Sequence, residues 1–268
     1  MITFLKLGQH GNLGNSMFQL AATIGTAVKK GYDVKIPKSV TYFNPDTNAN
    51  IISLFDGFNL TIPVITEEET KSIKYLYTET AFEYQSDINN IKDYTNLHGY
   101  FQTEKYFLHA EAEIRSTFKF KEHFIDEGKD LFKRFNINPE DTTSIHVRRN
   151  DYVQKQQFHP LQSLDYFLNA NKRVKLKQAL IFSDDIEWCR RTFVGNSIYF
   201  SDLTSCFSDL YAMSLCKNNI IVNSTFGWWG AWLNQNKSKT VVAPSTWFGP
   251  AYTHMNTKDV LPVNWIKI

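Results

Sequence analysis

Ser144-Ile145-His146-Val147-Arg148-Arg149-Asn150-Asp151-Tyr152 decides the reading of this chain, because a β-branched apolar run stops there at two adjacent arginines. Ser144–Val147 reads as the end of a buried strand. Arg148 and Arg149 then fall where a parallel sheet exposes its carboxyl ends, the usual place for ligands in open α/β folds. Guanidinium groups are rigid forks of donors that match phosphate oxygens and stay charged at physiological pH. Two in succession suggest a polyanionic ligand. The alternative is an arginine pair on a solvated turn, tied by ion pairs to Asp151 and other carboxylates.

Downstream of the arginines, strand and helix patterns alternate. A helix from about Leu161 to Asn171 precedes a strand at Ala179–Ser183, a helix across Asp185–Phe193 and a strand at Ser197–Phe200. A helix over Phe207–Cys216, a strand at Ile220–Asn223, a short helix near Trp228–Leu233 and a strand at Thr240–Ala243 follow. Such alternation argues for a parallel sheet with helices on both faces. The polar tails Arg148-Arg149, Asp184-Asp185 and Ser224-Thr225 are then expected at one sheet edge, in one cleft. Trp228, Trp229 and Trp232 read as core packing, since Ala and Gly accompany them in a short helix.

Upstream, Ile2–Leu7 reads as a first strand, followed by a Gly8-to-Gly14 loop. Met17, Leu20, Ala21, Ile24, Ala27 and Val28 then hold helical spacing until Gly31, and a strand is expected at Asp33–Ile36. The glycine loop leaves backbone N–H groups at a helix start, which favours anions. Gly-x-Gly-x-x-Gly is absent, so no dinucleotide site is signalled. Between Pro37 and Thr95 the clusters around Asn44-Pro45-Asp46 and Asn89-Asn90 break up the pattern, and no topology is assigned. His98–Phe101 fits a strand end, and Tyr106–Phe118 and Phe124–Phe135 read as helices. Asn136–Thr143, with Pro139, Glu140 and Asp141, is the expected link between two lobes.

At 268 residues, with 43% hydrophobic content, the chain can bury one large core or two modest ones, as a soluble globular protein does. Lys+Arg of 29 against Asp+Glu of 27 gives a formal charge of +2, too balanced for the basic face of a nonspecific nucleic-acid binder. No basic-then-apolar leader stands at Met1 and no apolar run is long enough to cross a bilayer, so the expected location is cytoplasmic. Cys189, Cys206 and Cys216 lack the paired spacing of a zinc site or disulfide framework and read as packed thiols. Gly-x-Ser-x-Gly and P-loop patterns are absent, which removes support for hydrolase and kinase readings.

His-Val-Arg-Arg-x-Asp-Tyr resembles the GDP-fucose-binding motif of the α-1,2-fucosyltransferases, glycosyltransferase family 11. Gly11-Asn12-Leu13-Gly14-Asn15-Ser16-Met17-Phe18-Gln19-Leu20-Ala21 is similar to that family's Gly-Gly-Leu-Gly-Asn-Gln-Met-Phe-Gln-Tyr-Ala. Asn223-Ser224-Thr225-Phe226-Gly227-Trp228-Trp229-Gly230-Ala231-Trp232-Leu233 resembles its Asn-Ser-(Ser/Thr)-Phe-Ser-Trp-Trp-Gly-Ala-Trp-Leu. Gly99-Tyr100-Phe101-Gln102 and Phe182-Ser183-Asp184-Asp185 are two shorter matches in the expected order. A single His-x-Arg-Arg is weak evidence; these segments in this order, spanning nearly the whole chain, are specific.

The resemblance implies a GT-B-like α/β fold, two Rossmann-type domains with parallel sheets facing a central cleft. Residues 1–141 form the expected acceptor-side domain and 142–268 the GDP-fucose-binding domain. It implies inverting transfer of L-fucose from GDP-β-L-fucose to a galactose 2-hydroxyl of a glycan acceptor. Alternatives are a fucosyltransferase of another linkage, α-1,6 or to protein Ser/Thr, or a noncatalytic nucleotide-sugar or glycan-binding module. Peripheral membrane association through glycan-assembly machinery is left open. No cofactor and no metal are expected, since Asp-x-Asp is missing at a strand end and in this family arginines replace the ion. Arg148 carries that role and Arg149 is a second phosphate contact. His146 and Asp184 are placed near the guanine, with Asp185 the better helix cap. Ser224 and Thr225, with exposed amides ahead of the Trp228 helix, suit the β-phosphate or ordinary capping, and Asn223 is a further substrate-binding candidate. Gly14 and Asn15 are further substrate-binding candidates, and Asp151 is the candidate base for the acceptor hydroxyl, equally open to being pinned by the arginines. The chain departs from the family at Asn12, Asn150, Gly227, Ser16 and Leu20. Asn150 is expected to keep a left-handed turn that glycine makes in the family.

Overall fold

The alternation that follows Ser144 is realised as a six-stranded sheet in the computed structural model, which describes residues 1–44 and 49–268. Pro45 and Asp46 of the expected turn cluster lie outside the described residues. The chain divides into two units, Met1–Lys121 with Met255–Pro262, and Glu122–His254 with Val263–Ile268. The division thus precedes the expected link at 136–143. The helix Glu122–Phe135 belongs to the second unit because it packs on Cys206–Leu215, where Gly128 meets the Tyr211 ring.

In the first unit, β1 (Ile2–Thr3) leads into α1 (Leu13–Lys30). An antiparallel pair, β2 (Tyr42–Asn44) and β3 (Ala49–Ile51), and two short helices, α2 (Leu54–Gly57) and α3 (Glu67–Lys71), come next. Then follow β4 (Tyr75–Thr78), β5 (Thr95–His98) and α4 (Glu111–Thr117). β1, β5 and β4 form a parallel sheet in that order. The strand expected over Ile2–Leu7 is cut to two residues, because the Leu7 and Gln9 N–H groups turn back to Phe4 and Lys6 carbonyls. The Asp33–Ile36 strand reduces to single bridges at Val34 and Ile36. The helix expected over Tyr106–Phe118 is split into two 3-10 turns and α4.

The second unit contains α5 (Glu122–Phe135), β6 (Thr142–Val147), α6 (Asn150–Gln154), α7 (Leu164–Val174), β7 (Gln178–Ser183) and α8 (Ile186–Thr192). β8 (Ile198–Phe200), α9 (Cys206–Leu215), β9 (Asn218–Ile220), α10 (Thr225–Leu233), β10 (Val241–Ala243) and β11 (Ile266–Lys267) complete it. All six strands run parallel in the order β11-β10-β9-β6-β7-β8. The order reverses between β6 and β9, which creates the crevice where open α/β sheets hold ligands.

Period-two alternation explains how β6 is buried on both faces. Ile145 and Val147 join Ile181, Ile220 and the α7 residues Tyr166, Phe167 and Ala170 in one core. On the other face Leu180 and Phe182 of β7 meet Phe132, Ala212 and Met213. Ser144 and His146 point to this second face, and the Ser144 Oγ accepts from Asn219 Nδ2 at 2.7 Å. Trp228, Trp229 and Trp232 of α10 are buried, as core packing requires, and pack edge to face about Trp229. Cys189 and Cys216 are buried free thiols, while Cys206 is partly exposed. Burial pushes Cys189 up to about 11 and Cys206 up to about 12, so neither thiol is primed for nucleophilic attack. Among the described residues no helix is long and apolar enough to cross a membrane.

Candidate functional site

Because β6, β7 and β9 are parallel, the segments after Val147, Ser183 and Ile220 emerge on one edge of the second unit's sheet. Strand register pairs Val147 with Ser183, so Arg148 and Arg149 leave β6 alongside Asp184 and Asp185. The Arg149 N–H donates to Asp184 Oδ1 at 2.9 Å, and Arg149 Nε to Asp185 Oδ2 at 3.1 Å. The Arg149 guanidinium lies over the Trp188 ring, 3.8 Å from its centroid. Asp185 also caps α8 by accepting from the Trp188 N–H at 3.2 Å, the task a helix start gives a short carboxylate.

Arg148 is held from three sides. Its Nη2 donates to Asp151 Oδ1 at 2.7 Å and its Nη1 stands 3.0 Å from Asp184 Oδ2. The second contact is an ion pair off the line of a hydrogen bond, so that buried oxygen has an opposite charge but no aligned donor. Below lies the Tyr152 ring, 5.6 Å from Cζ. Burial alone disfavours the Arg148 charge, but Asp184 and Asp151 outweigh it and hold the guanidinium pKa raised. Burial raises the Asp184 carboxyl against the opposing pull of Arg148. The carboxylate expected to meet guanine is thus already shared between two arginines, a contact that adjacency in sequence does not reveal.

Asp151 follows the same logic. It sits in the first turn of α6, engaged by Arg148 and approached by Lys155 Nζ at 4.0 Å, which makes it a holder of the arginine. Asn150 is the first residue of α6 and is absent from the residues with positive φ, so the left-handed turn expected there does not form. The helix begins where the family's glycine turn was anticipated.

His146 is 5% exposed and its ring stands 5.4 Å from that of Phe226. Burial, helped by Arg148, drops its pKa to about 3, so the imidazole is neutral. Its Nδ1 is buried without a partner. A Cβ at Gly227 would stand 2.7 Å from that nitrogen, so the family's serine could not be accommodated without moving the ring. This departure is therefore coupled to the histidine.

Ser224 precedes α10 as an extended N-cap whose side chain makes no cap bond, and Thr225 opens the helix. Asn223 is buried; its Oδ1 accepts from Gln162 Nε2 at 3.0 Å and its carbonyl from the Tyr152 hydroxyl at 3.0 Å. The β6, β7 and β9 tails are thus brought together. Sequence reasoning missed one further group at this edge. Asp209, in α9, accepts from Ser201 Oγ at 2.6 Å just beyond β8, and burial lifts its carboxyl to about 7. Its signal, an aspartate inside the apolar run Phe207–Leu215, reads as nothing more than a helix residue.

Gly14 and Asn15 belong to the first unit, in the first turn of α1. Asn15 Oδ1 accepts from Gln102 Nε2 at 3.0 Å. Gln19 Nε2 donates to the Gly99 and His10 carbonyls at 3.2 and 3.4 Å. The His10 and His98 rings meet edge to face at 5.2 Å. Glu79, directly after β4, accepts from the Tyr100 and Phe101 N–H groups at 2.7 and 3.0 Å, and burial still lifts it to about 7. Among the described residues no group of three His, Cys, Asp or Glu side chains is arranged to hold a metal ion.

A solved structure with this fold is POFUT1 in complex with GDP-fucose, at TM-score 0.56 and 10% identity, covering 90% of this chain and 96% of that one. Two α/β units with parallel sheets are the GT-B architecture of such enzymes. The chain matches the model of Glycosyl transferase family 11 over residues 4–268 and belongs to that family. An Escherichia coli α-1,2-colitosyltransferase is 29% identical over 96% of this chain and 96% of that protein. A Bos taurus galactoside 2-α-L-fucosyltransferase is 25% identical over 83% of this chain and 62% of its own length.

Proposed function

We propose that the chain transfers L-fucose, with inversion, from GDP-β-L-fucose to the 2-hydroxyl of a galactose in a glycan, giving an α-1,2 linkage. The observation that carries this reading is Arg148, a partly buried guanidinium held by two carboxylates at the β6 edge, next to the crevice between β6 and β9. When the sugar–phosphate bond breaks, negative charge grows on the leaving GDP, and a prepositioned cation stabilises it most in the transition state. Arg149 adds a second phosphate contact, and Ser224 and Thr225 offer amides and hydroxyls at the start of α10. These fixed cations supply the charge that a metal ion supplies in other sugar transferases.

His146 has a neutral ring and an unused nitrogen, which suits it to base recognition, with Asn223 fixing the segment after β9. Asp184 and Asp151 orient the arginines. The first unit is assigned to the acceptor, because Asn15 and Gln102 place amides rather than charges beside the carboxyl edge of its sheet. A second donor is favoured by one relative, whose name is that of a colitosyltransferase. The test is to supply GDP-fucose and GDP-colitose separately, with galactose-terminated oligosaccharides, and to measure GDP release and the linkage formed. GDP release with an α-1,2-fucosylated product is expected. Release from GDP-colitose alone would move the donor, and binding without turnover would make the chain a module rather than an enzyme.

A further inference from the structure

We infer that His159 is a positioning residue for sugar transfer, acting through Tyr152 on Arg148. The inference rests on the donor reading above, because it assumes that Arg148 faces the leaving group.

Tyr152 is the floor under the Arg148 guanidinium. Two contacts hold that floor. The Tyr152 hydroxyl donates to the Asn223 carbonyl at 3.0 Å, and its ring lies face to face with the His159 imidazole, 4.7 Å between centroids and 14° from parallel. His159 is itself wedged from behind, with the Phe248 ring at 5.8 Å and the Tyr252 ring edge-on at 6.2 Å. The wedge is fastened by backbone. Gly249 N–H donates to the Phe158 carbonyl at 2.8 Å and Ala251 N–H to the Gln157 carbonyl at 2.8 Å. A Cβ at Gly249 would stand 2.5 Å from the Gln157 carbonyl oxygen, so the close approach of these two segments depends on glycine. A continuous stack therefore runs from the 247–252 segment through His159 and Tyr152 to Arg148.

Why an imidazole should sit in a place that a phenyl ring could fill follows from its surroundings. The charged groups facing His159 are Asp151, Lys155 and Arg148, with the phenols of Tyr152 and Tyr252 as its titratable neighbours and His254 beyond Tyr252. Burial lowers the His159 pKa most; Asp151 raises it, and Lys155 and Arg148 lower it. The ring is neutral at neutral pH and leaves Asp151 to Arg148. A proton gained in acid would create a cation that competes with Arg148 for the Asp151 carboxylate. His159 thus stiffens the platform when neutral and loosens it when protonated.

The test uses GDP release from GDP-fucose in water, which needs no acceptor, on the full chain. His159→Ala is expected to lower kcat about tenfold with donor KM within about twofold, since the missing stack is a loss of orientation rather than of ground-state binding. His159→Phe should restore kcat to within about threefold at pH 7.5, because a flat ring can stack on Tyr152. Its fall in kcat between pH 6.5 and 5.5, below the ordinary imidazole value of about 6.5, should be smaller than that of the unsubstituted protein. His159→Phe as slow as His159→Ala, His159→Ala as fast as the unsubstituted protein, or an unchanged acid limb would each overturn the inference. Thermal protection by GDP, read on every variant, separates the two readings. Protection kept throughout while kcat is unmoved sinks the role of His159 alone; no protection even in the unsubstituted protein sinks the donor reading.

Discussion

At the carboxyl edge of the six-stranded sheet, two arginines are interlocked with Asp151, Asp184 and Asp185, whereas at the corresponding edge of the three-stranded sheet the side chains are mostly amides and imidazoles. Each edge follows from parallel strands that end together, but the chemistry differs. Fixed guanidiniums suit a polyanion whose charge changes during reaction, and their desolvation is supportable only because carboxylates are built in beside them. Amides and imidazoles suit hydroxyl groups, which need both donors and acceptors and bring no charge. The contrast teaches that one fold principle can set two kinds of chemistry at a sheet edge, according to the residues that surround each strand end.

The sharpest way to break this contrast is to remove its central charge. Arg148→Ala should lower GDP release from GDP-fucose by about 10²- to 10³-fold, the usual cost of losing one donor aimed at developing charge. Folding should survive, since the residue lies at a strand end rather than in either core. Gln102→Ala, at the other edge, should leave the rise in Tm produced by GDP unchanged. Arg148→Ala within tenfold of the unsubstituted protein would show that charge is stabilised elsewhere.

A smaller effect separates the two aspartates after β7. Asp184→Asn keeps an acceptor for the Arg149 N–H but loses the charge beside Arg148. Protection by GDP and by ADP should therefore fall together, measured by thermal shift, because both nucleotides present a diphosphate. A selective loss of the GDP-over-ADP difference would instead give Asp184 the guanine contact expected from the family. Asp185→Ala should leave that preference intact and lower stability by about 0.5–2 kcal/mol through the lost cap of α8.

Much of the second unit was legible because its signals are local and periodic. Ser144–Val147 and Ala179–Ser183 are short apolar runs that stop at charges, and the strands found match them closely. What remained hidden depends on partners distant in sequence. Glu79 stands between Thr78 and Thr80 with no pattern of its own; its role comes from the N–H groups of Tyr100 and Phe101, the latter at φ 54 although it is not glycine. His159 is a single histidine in a polar loop whose stacking partner is only revealed by the turn after α6. Asp184 stands out in the sequence as a polar residue at a strand end, but its sharing between Arg148 and Arg149 depends on the register of β6 against β7. The first strand is shorter than its sequence suggests because an apolar stretch, Phe4-Leu5, continues past the point where hydrogen bonding turns back.

The smallest effect compares the units through their buried acids. Glu79 is raised from 4.5 to about 7 and Asp209 from 3.8 to about 7, in each case chiefly by burial. A carboxyl with a raised pKa holds its proton in the folded chain after the unfolded chain has released it. Stability from that difference is present below the unfolded pKa and is lost as pH rises towards about 7. Neither side chain is fully enclosed, so solvent screening reduces the amount and the direction is the firm expectation. Thermal unfolding followed from pH 6.5 to pH 8, above the range in which neutral His146 contributes an opposing rise, should show Tm of the unsubstituted protein falling. Glu79→Gln keeps an oxygen for the Tyr100 and Phe101 N–H groups and Asp209→Asn one for Ser201, while neither amide titrates. Each variant should therefore show a shallower fall. A slope unchanged by both substitutions would mean that the two acids ionise in the folded chain as they do in the unfolded one, and that the neutral edge of the first unit carries a full negative charge at Glu79.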